Sequence, residues 1–408
     1  MLALFSWAAL SSFARQAAFL IVNLMLFERL SRPMYGALAL GFAYRAVFAG
    51  LGECGIRQIA WREIARHRAK AGELTASFLG VKSLTAVAAL GLYLGLMPLL
   101  WEPALPAAIF LLFGLGIVLN GGTFDFPLFG LDRMDLVARC SIAAYAIYLF
   151  GCLLWVQDDA TAWFVPVLFV GAMGLLISLE VRWFQAEHGP LRLRFDAAGS
   201  ILSQAWPIGV AETMHRLALA YPVILLGITA GSERVGDYRL GELGYVFLAH
   251  FGHLAGTATF SRVAAAFHQR RRALRALLTD LLGWVSLGAL LAAMCFFIAG
   301  PPALALVFRQ EIAAETSEVL RILALALVFA IPGRLLTALL AAVERQGMML
   351  VASTITVCLG VTAGWIASST HGIQGMASAV LATEVVRMVF LLWVYWRTVG
   401  PIAKRRSV

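Results

Sequence analysis

Charge is what this chain has least of. Only 13% of its 408 residues are Asp, Glu, Lys or Arg, against 61% hydrophobic residues, and such a composition carries far more apolar surface than one water-facing core can hide. A soluble globular protein is excluded. Cysteine is scarce as well. Cys54, Cys140, Cys152, Cys295 and Cys358 are scattered through apolar stretches without paired spacing, which argues against a disulfide frame or a cysteine metal site and leaves them as small buried hydrophobes. No acidic cluster or metal-ligand set stands out, no cofactor is implied, and no loop exceeds roughly 25 residues, so the apparatus of a membrane-embedded polymerase or glycosyltransferase is missing. Also absent is the alternation, over about ten residues, that marks a transmembrane barrel strand.

What is present is a series of long apolar runs. A bilayer core needs about 20 apolar residues per helix, and twelve segments qualify, at roughly 3–27, 33–54, 76–97, 104–124, 138–157, 162–181, 206–230, 237–258, 279–300, 318–341, 349–368 and 374–396. The chain is expected to be an all-α polytopic membrane protein, since helices are the only other way to satisfy the backbone in lipid. Its first segment has no basic leader and carries Arg15 at its centre, so it is expected to be retained as a helix and not cleaved as a signal peptide.

Basic residues fix the expected orientation. With the N-terminus cytoplasmic, the inner loops collect Arg57, Arg62, Arg66, Arg68, Lys70, Arg133, Arg139, Arg182, Arg192, Arg194, Arg262, Arg270, Arg271, Arg272, Arg275, Arg345, Arg397, Lys404, Arg405 and Arg406, twenty of the 32 Lys and Arg. Outer loops hold Arg29, Arg32, Arg234, Arg309 and Arg321, together with the acids Glu102, Asp158, Asp159, Glu233, Glu311 and Glu315. This asymmetry places both termini in the cytoplasm of a multi-pass inner-membrane protein. The net charge of +9 is accordingly attributed to topology and to the membrane surface, not to nucleic acid.

The two halves echo one another. At an offset drifting from 200 to 212, Tyr35-Gly36 meets Val235-Gly236, Arg57 meets Arg262, and Asp132-Arg133-Met134 meets Glu344-Arg345-Gln346. Each match falls at the same place in a six-helix plan, and six is even, so the repeat is parallel. The expected domains are a six-helix bundle over 1–184, a cytoplasmic linker over 185–205 and a second bundle with a short basic tail over 206–408.

Two motifs carry a family resemblance. Gly50-Leu51-Gly52-Glu53-Cys54-Gly55-Ile56-Arg57-Gln58-Ile59-Ala60-Trp61-Arg62-Glu63-Ile64-Ala65-Arg66 and Phe129-Gly130-Leu131-Asp132-Arg133-Met134 resemble the corresponding turns of Wzx-type polysaccharide flippases, in the superfamily of multidrug, oligosaccharidyl-lipid and polysaccharide exporters. Trp61 departs from the small or charged residue often found there. The resemblance implies two six-helix bundles around a central cavity that opens alternately to each side. It also implies a polyprenyl-diphosphate-linked oligosaccharide as substrate, polymerase and glycosyltransferase partners, and a monomeric chain.

Seven cations lie inside the expected spans, Arg15, Arg45, Lys82, Arg216, Arg239, Arg334 and Arg387, against the acids Asp125, Glu212, Glu242 and Glu384. A cation at bilayer depth costs roughly 2.5 to 3.5 kcal/mol, so it faces water or a partner. Glu212 and Arg216, Arg239 and Glu242, and Glu384 and Arg387 stand three or four residues apart and can neutralise one another on a helix face. Lys82 is near enough to the inner end to snorkel. Arg15 and Arg45 have neither escape, which makes them the first candidates for binding an anion, with Arg216 as the repeat counterpart of Arg15, and with Arg334. On the first helix Ser12, Arg15, Gln16, Phe19 and Asn23 share one stripe, as a wet face requires. Guanidinium forks suit a diphosphate, which only accepts hydrogen bonds. His215, His250 and His253 are candidates for a proton relay or for ordinary packed histidines, and Pro207, Pro222 and Pro332 for helix bends. A cationic excess favours an anionic lipid-linked saccharide; the alternatives are a multidrug antiporter for organic cations, which needs unpaired acids, and an integral-membrane polysaccharide polymerase or glycosyltransferase, which needs large loops with clustered acids.

Overall fold

The computed structural model describes the backbone of residues 2–100, 106–269, 271–308, 314–342 and 346–399. Glu102, Arg309, Glu311, Glu344, Arg345, Lys404, Arg405 and Arg406 lie outside the described residues, as do the side chains of Arg262, Arg270, Arg271, Arg272 and Arg275. The described chain is all helix: α1 Leu2–Arg29, α2 Arg32–Glu53, α3 Ile56–Arg66, α4 Ala71–Leu100, α5 Ala107–Gly121, α6 Asp125–Gly130, α7 Met134–Trp155, α8 Phe164–His188, α9 Ala198–Gln269, α10 Arg271–Phe308, α11 Ala314–Ala342 and α12 Gln346–Val399.

Ten stretches of the described residues are long and apolar enough to cross a membrane, and two of them, of 59 and 51 residues, are long enough to cross twice. Both long ones are broken near the middle by a glycine in a conformation other residues avoid, Gly231 with φ 81° in α9 and Gly372 with φ 57° in α12. Twelve crossings result among the described residues, with breaks where the sequence separates 206–230 from 237–258 and 349–368 from 374–396. Large apolar side chains such as Leu84, Phe150, Trp284 and Ile298 stay exposed, as befits helices whose outer faces meet lipid.

One element is not foreseen by the run lengths. The segment after α2, part of an inner loop by hydropathy, folds as the amphipathic helix α3, because Ile56, Ile59, Ala60 and Ile64 recur at helical spacing and are all buried. They join Phe124, Phe126 and Phe184 in one core cluster.

The chain forms two compact units, Met1–Leu240 and Gly241–Val408. Within the first, α2 and α9 as far as Gly236 run side by side and antiparallel, with glycines at the close approaches. A Cβ on Gly36 would overlap the Ser232 carbonyl oxygen, one on Gly236 would lie 2.6 Å from that of Arg32, and one on Gly209 would lie 2.5 Å from the Cys54 carbonyl carbon. Small residues let membrane helices pack this closely, where van der Waals contact replaces the hydrophobic drive available in water. The first two contacts are reciprocal: Gly36 and Gly236, like Arg32 and Ser232, stand 200 residues apart. In the second unit the arm of α9 beyond Leu240 uses Gly252 and Gly256 against Ile331 and Ala338 of α11, the same device at a spacing of four.

Candidate functional site

Arg45 projects from α2 into the interior of the first unit. Its guanidinium carbon sits 4.6 Å from the centre of the Phe169 ring on α8, and Gly116 on α5 makes the room, since a Cβ there would lie 3.1 Å from Arg45 Cδ. Phe19, Phe42 and Tyr148 pack around Phe169, with centroids 6.2, 5.4 and 5.9 Å away. The aromatic faces stabilise the cation by roughly 0.5–2 kcal/mol. Arg45 Nε is buried without a hydrogen bond, and no carboxylate pairs with Arg45 among the described residues. Arg45 is therefore a half-buried cation held by π-faces alone, with its guanidinium hydrogen-bonding capacity unused.

The stripe on α1 divides. Phe19 enters the aromatic group, and Asn23 is buried, donating to the Phe19 carbonyl at 2.7 Å and accepting from the Tyr35 hydroxyl at 3.3 Å. Gln16 is half-buried, whereas Arg15, one turn from Phe19, is exposed and has no ion pair among the described residues.

Arg216 has very different surroundings. Its guanidinium is 2.5 Å from Glu53 and 3.1 Å from Glu212, and Gly50 makes space for its Cδ. Glu53 also lies 3.9 Å from Arg57, which pairs with Asp125 at 2.6 Å. Asp125 above all, then Glu53 and Glu212, raise the Arg57 guanidinium above its ordinary pKa against the opposing effect of burial. The result is a chain of ion pairs linking α2, α3, α6 and α9. Glu53 and Glu180 stand at the very ends of the apolar runs 33–54 and 162–181, so hydropathy does not mark either as an intramembrane acid. Both are buried, and including them narrows the cationic excess.

Lys82 does not snorkel. It is wholly buried and donates to the Thr123 carbonyl at 3.0 Å and to the Thr123 hydroxyl. The Asn120–Thr123 turn between α5 and α6 offers acceptors within reach of the Lys82 ammonium inside the bundle, so the side chain has no need to extend to water.

The two family-like motifs meet each other. Trp61 and Phe129 rings lie 5.4 Å apart, and Gly130 fits against Ile64 and the Trp61 carbonyl. Arg57 lies over Phe129 at 5.7 Å, Arg68 pairs with Asp132, and Arg133 lies over Trp183 at 4.0 Å and reaches Glu187 at 3.4 Å. Arg62 is exposed beside Glu63. Arg57 docks α3 on α6, and Arg133 ties the turn after α6 to α8. In the second unit Arg387 and Glu384, both buried, pair at 3.1 Å, the Tyr245 hydroxyl donates to Glu384 at 2.9 Å, and half-buried Arg334 lies 5.9 Å from the Tyr245 ring. His250 and His253 have ring centres 5.7 Å apart. His215 and Arg239 are half-buried and Glu242 is buried.

The sequence model of the polysaccharide biosynthesis protein family matches residues 2–267. Among solved structures, an inward-facing multidrug resistance MATE family transporter of the MOP superfamily matches with TM-score 0.73 at 14% identity, over 98% of this chain and 96% of that one. A eukaryotic MATE transporter matches with TM-score 0.71 at 13% identity over 98% and 96%. A MOP superfamily transporter from Pyrococcus furiosus, described as having a binding pocket of reverse polarity, matches with TM-score 0.65 at 17% identity over 97% and 94%. No curated protein matches the chain. The fold is that of these polytopic membrane transporters.

Proposed function

The chain belongs to the polysaccharide biosynthesis protein family, and from that premise we propose that it is a flippase moving a polyprenyl-diphosphate-linked oligosaccharide, or a related anionic glycolipid, from the inner to the outer face of the cytoplasmic membrane. The observation that carries this reading is Arg45, a guanidinium inside an aromatic-lined interior with no carboxylate partner among the described residues. An unpaired cation at that depth is costly unless a ligand supplies the countercharge. A diphosphate supplies it in the geometry a guanidinium fork prefers, and aromatic faces suit sugar rings or prenyl carbons. Arg15, exposed one turn from Phe19 along α1, would add a second cation to that site. With the inside negative, carrying one negative charge outward is favoured by roughly 2.3 kcal/mol per 100 mV. Glycosyltransferases and a polymerase would supply and consume the cargo.

A second reading keeps one specific support. An antiporter of organic cations needs an acid free to meet its substrate, and Glu180 has a buried carboxylate oxygen without a hydrogen bond. Glu53, Asp125 and Glu212, by contrast, each meet an arginine.

The test is surface polysaccharide in a strain lacking its own flippase, with membrane abundance measured alongside. Arg45→Ala should lower export roughly ten- to hundredfold, the factor that corresponds to about 1.5–3 kcal/mol for a hydrogen bond to a charged group, and Arg15→Ala should act in the same direction. Arg45→Lys should restore part, since it keeps the charge and loses the fork. Full export by Arg45→Ala at normal abundance would overturn the reading.

A further inference from the structure

We propose that Glu180 is a proton-binding site that couples transport to the proton gradient, with Lys82 as the cation that meets its carboxylate when the proton leaves. The coupling role rests on the flippase reading above; the proton site itself does not.

The argument begins with which charges touch. Arg57 and Arg216 share the carboxylates of Glu53, Asp125 and Glu212 in contacts of 2.5 to 3.9 Å. Lys82 and Glu180 stand beside this chain, each essentially without solvent exposure, and neither forms an ion pair among the described residues. The Lys82 ammonium is committed to Thr123. Glu180 lies near the Phe124 backbone N–H, and its Oε1 is buried without a hydrogen bond. Of the carboxyl groups in and beside this chain, Glu180 is the one that no cation contacts among the described residues. Arg45, two helical turns from Glu53 along α2, faces Phe169 instead. A proton on Glu180 answers its burial, because an uncompensated buried carboxylate neutralises before it persists as an ion.

The titratable groups close enough to act on Glu180 electrostatically are Asp125 from α6, Lys82 from α4 and Arg57 from α3, and Glu180 acts in turn on the Cys140 thiol of α7. On release, the O–H bond of the Glu180 carboxyl breaks, its electron pair stays on oxygen, and the proton passes to water at the end of the unit that carries the basic loops. Lys82 then leaves Thr123 for the new carboxylate. Since Thr123 closes the turn between α5 and α6 and Asp125 opens α6, this exchange pulls on the same helix that the Arg57–Asp125 pair holds.

Infrared spectroscopy of the purified full chain at neutral pH tests the site directly. A carboxylic-acid carbonyl band is expected in the wild type, lost in Glu180→Gln and kept in Glu212→Gln. Glu180→Asp should shift the band without deleting it, which decides the matter if the Gln variant does not accumulate. Absence of the band in the wild type, or its persistence in Glu180→Gln, would overturn the proton site. Where the band is lost, export by Glu180→Gln in the polysaccharide assay should fall at least tenfold at normal abundance; export at wild-type level would overturn the coupling role while leaving the flippase reading standing.

Discussion

Arg45 and Arg216 sit on neighbouring helices of one unit, both half-buried, and their surroundings differ in one respect. Arg216 is clasped by Glu53 and Glu212 and belongs to a chain of ion pairs that reaches Asp125 through Arg57. Arg45 has an aromatic ring beneath it and no countercharge among the described residues. The first arrangement spends its charge inside the protein and holds α2, α3, α6 and α9 in register. In the second, the charge meets no carboxylate among the described residues. Depth in an apolar helix, which is all the sequence reveals, is common to both; the partner set is what distinguishes them, and on it the proposed anion-binding role of Arg45 rests.

The sharpest way to break this contrast is to compare stabilities. Glu53→Ala should cost about 3–5 kcal/mol, because it strips one partner from both Arg216 and Arg57 and leaves charge uncompensated. Arg45→Ala should leave thermal unfolding in detergent unchanged or slightly improved, since the lost cation–π contact of roughly 0.5–2 kcal/mol is offset by removing a cation from an apolar span. Equal losses for the two variants would erase the distinction.

A smaller effect concerns the seam that places Arg216 beside α2. Gly36→Leu should destabilise the chain by about 1–3 kcal/mol through overpacking against the Ser232 carbonyl. Gly171→Ala, where a Cβ would meet nothing within 4 Å, should be neutral or stabilise by up to about 1 kcal/mol. The smallest effect belongs to the surface. Hydrogen bonds from Arg194 hold the exposed Asp196 carboxyl below the usual carboxylate range. A depressed value contributes stability above the unfolded-state pKa of about 3.9 and loses it as the pH falls through the folded one. The small difference in melting temperature between wild type and Arg194→Ala at neutral pH should therefore vanish in acid.

Much of the fold was legible because long apolar runs leave the chain no alternative to helices. The positions of the twelve crossings followed from run length, and even the breaks at Gly231 and Gly372 were marked by interruptions in hydropathy. Pairing was harder to see. Glu53 and Glu180 stand at the ends of their spans, where a carboxylate is ordinarily taken to face water, and nothing local announces that α9 brings Arg216 to Glu53 across 163 positions. Lys82 misled for a related reason: a long side chain near a helix end usually reaches outward, and only the fold shows Thr123 within its reach. By contrast Glu384 and Arg387, three apart on one helix, could be paired from spacing alone and do pair. The glycine, arginine and Ile-Ala pattern at the end of α2 is also explained by packing, since it builds the helix that docks on the second motif.

The central claim is that Arg45 keeps its charge for an anionic lipid carrier. Farnesyl diphosphate, a short prenyl diphosphate, titrated into the purified protein tests it without any dependence on transport. The wild type should bind it, Arg45→Ala should bind at least tenfold more weakly, and Arg45→Lys should fall between them. Equal affinity for the wild type and a correctly folded Arg45→Ala would contradict the account.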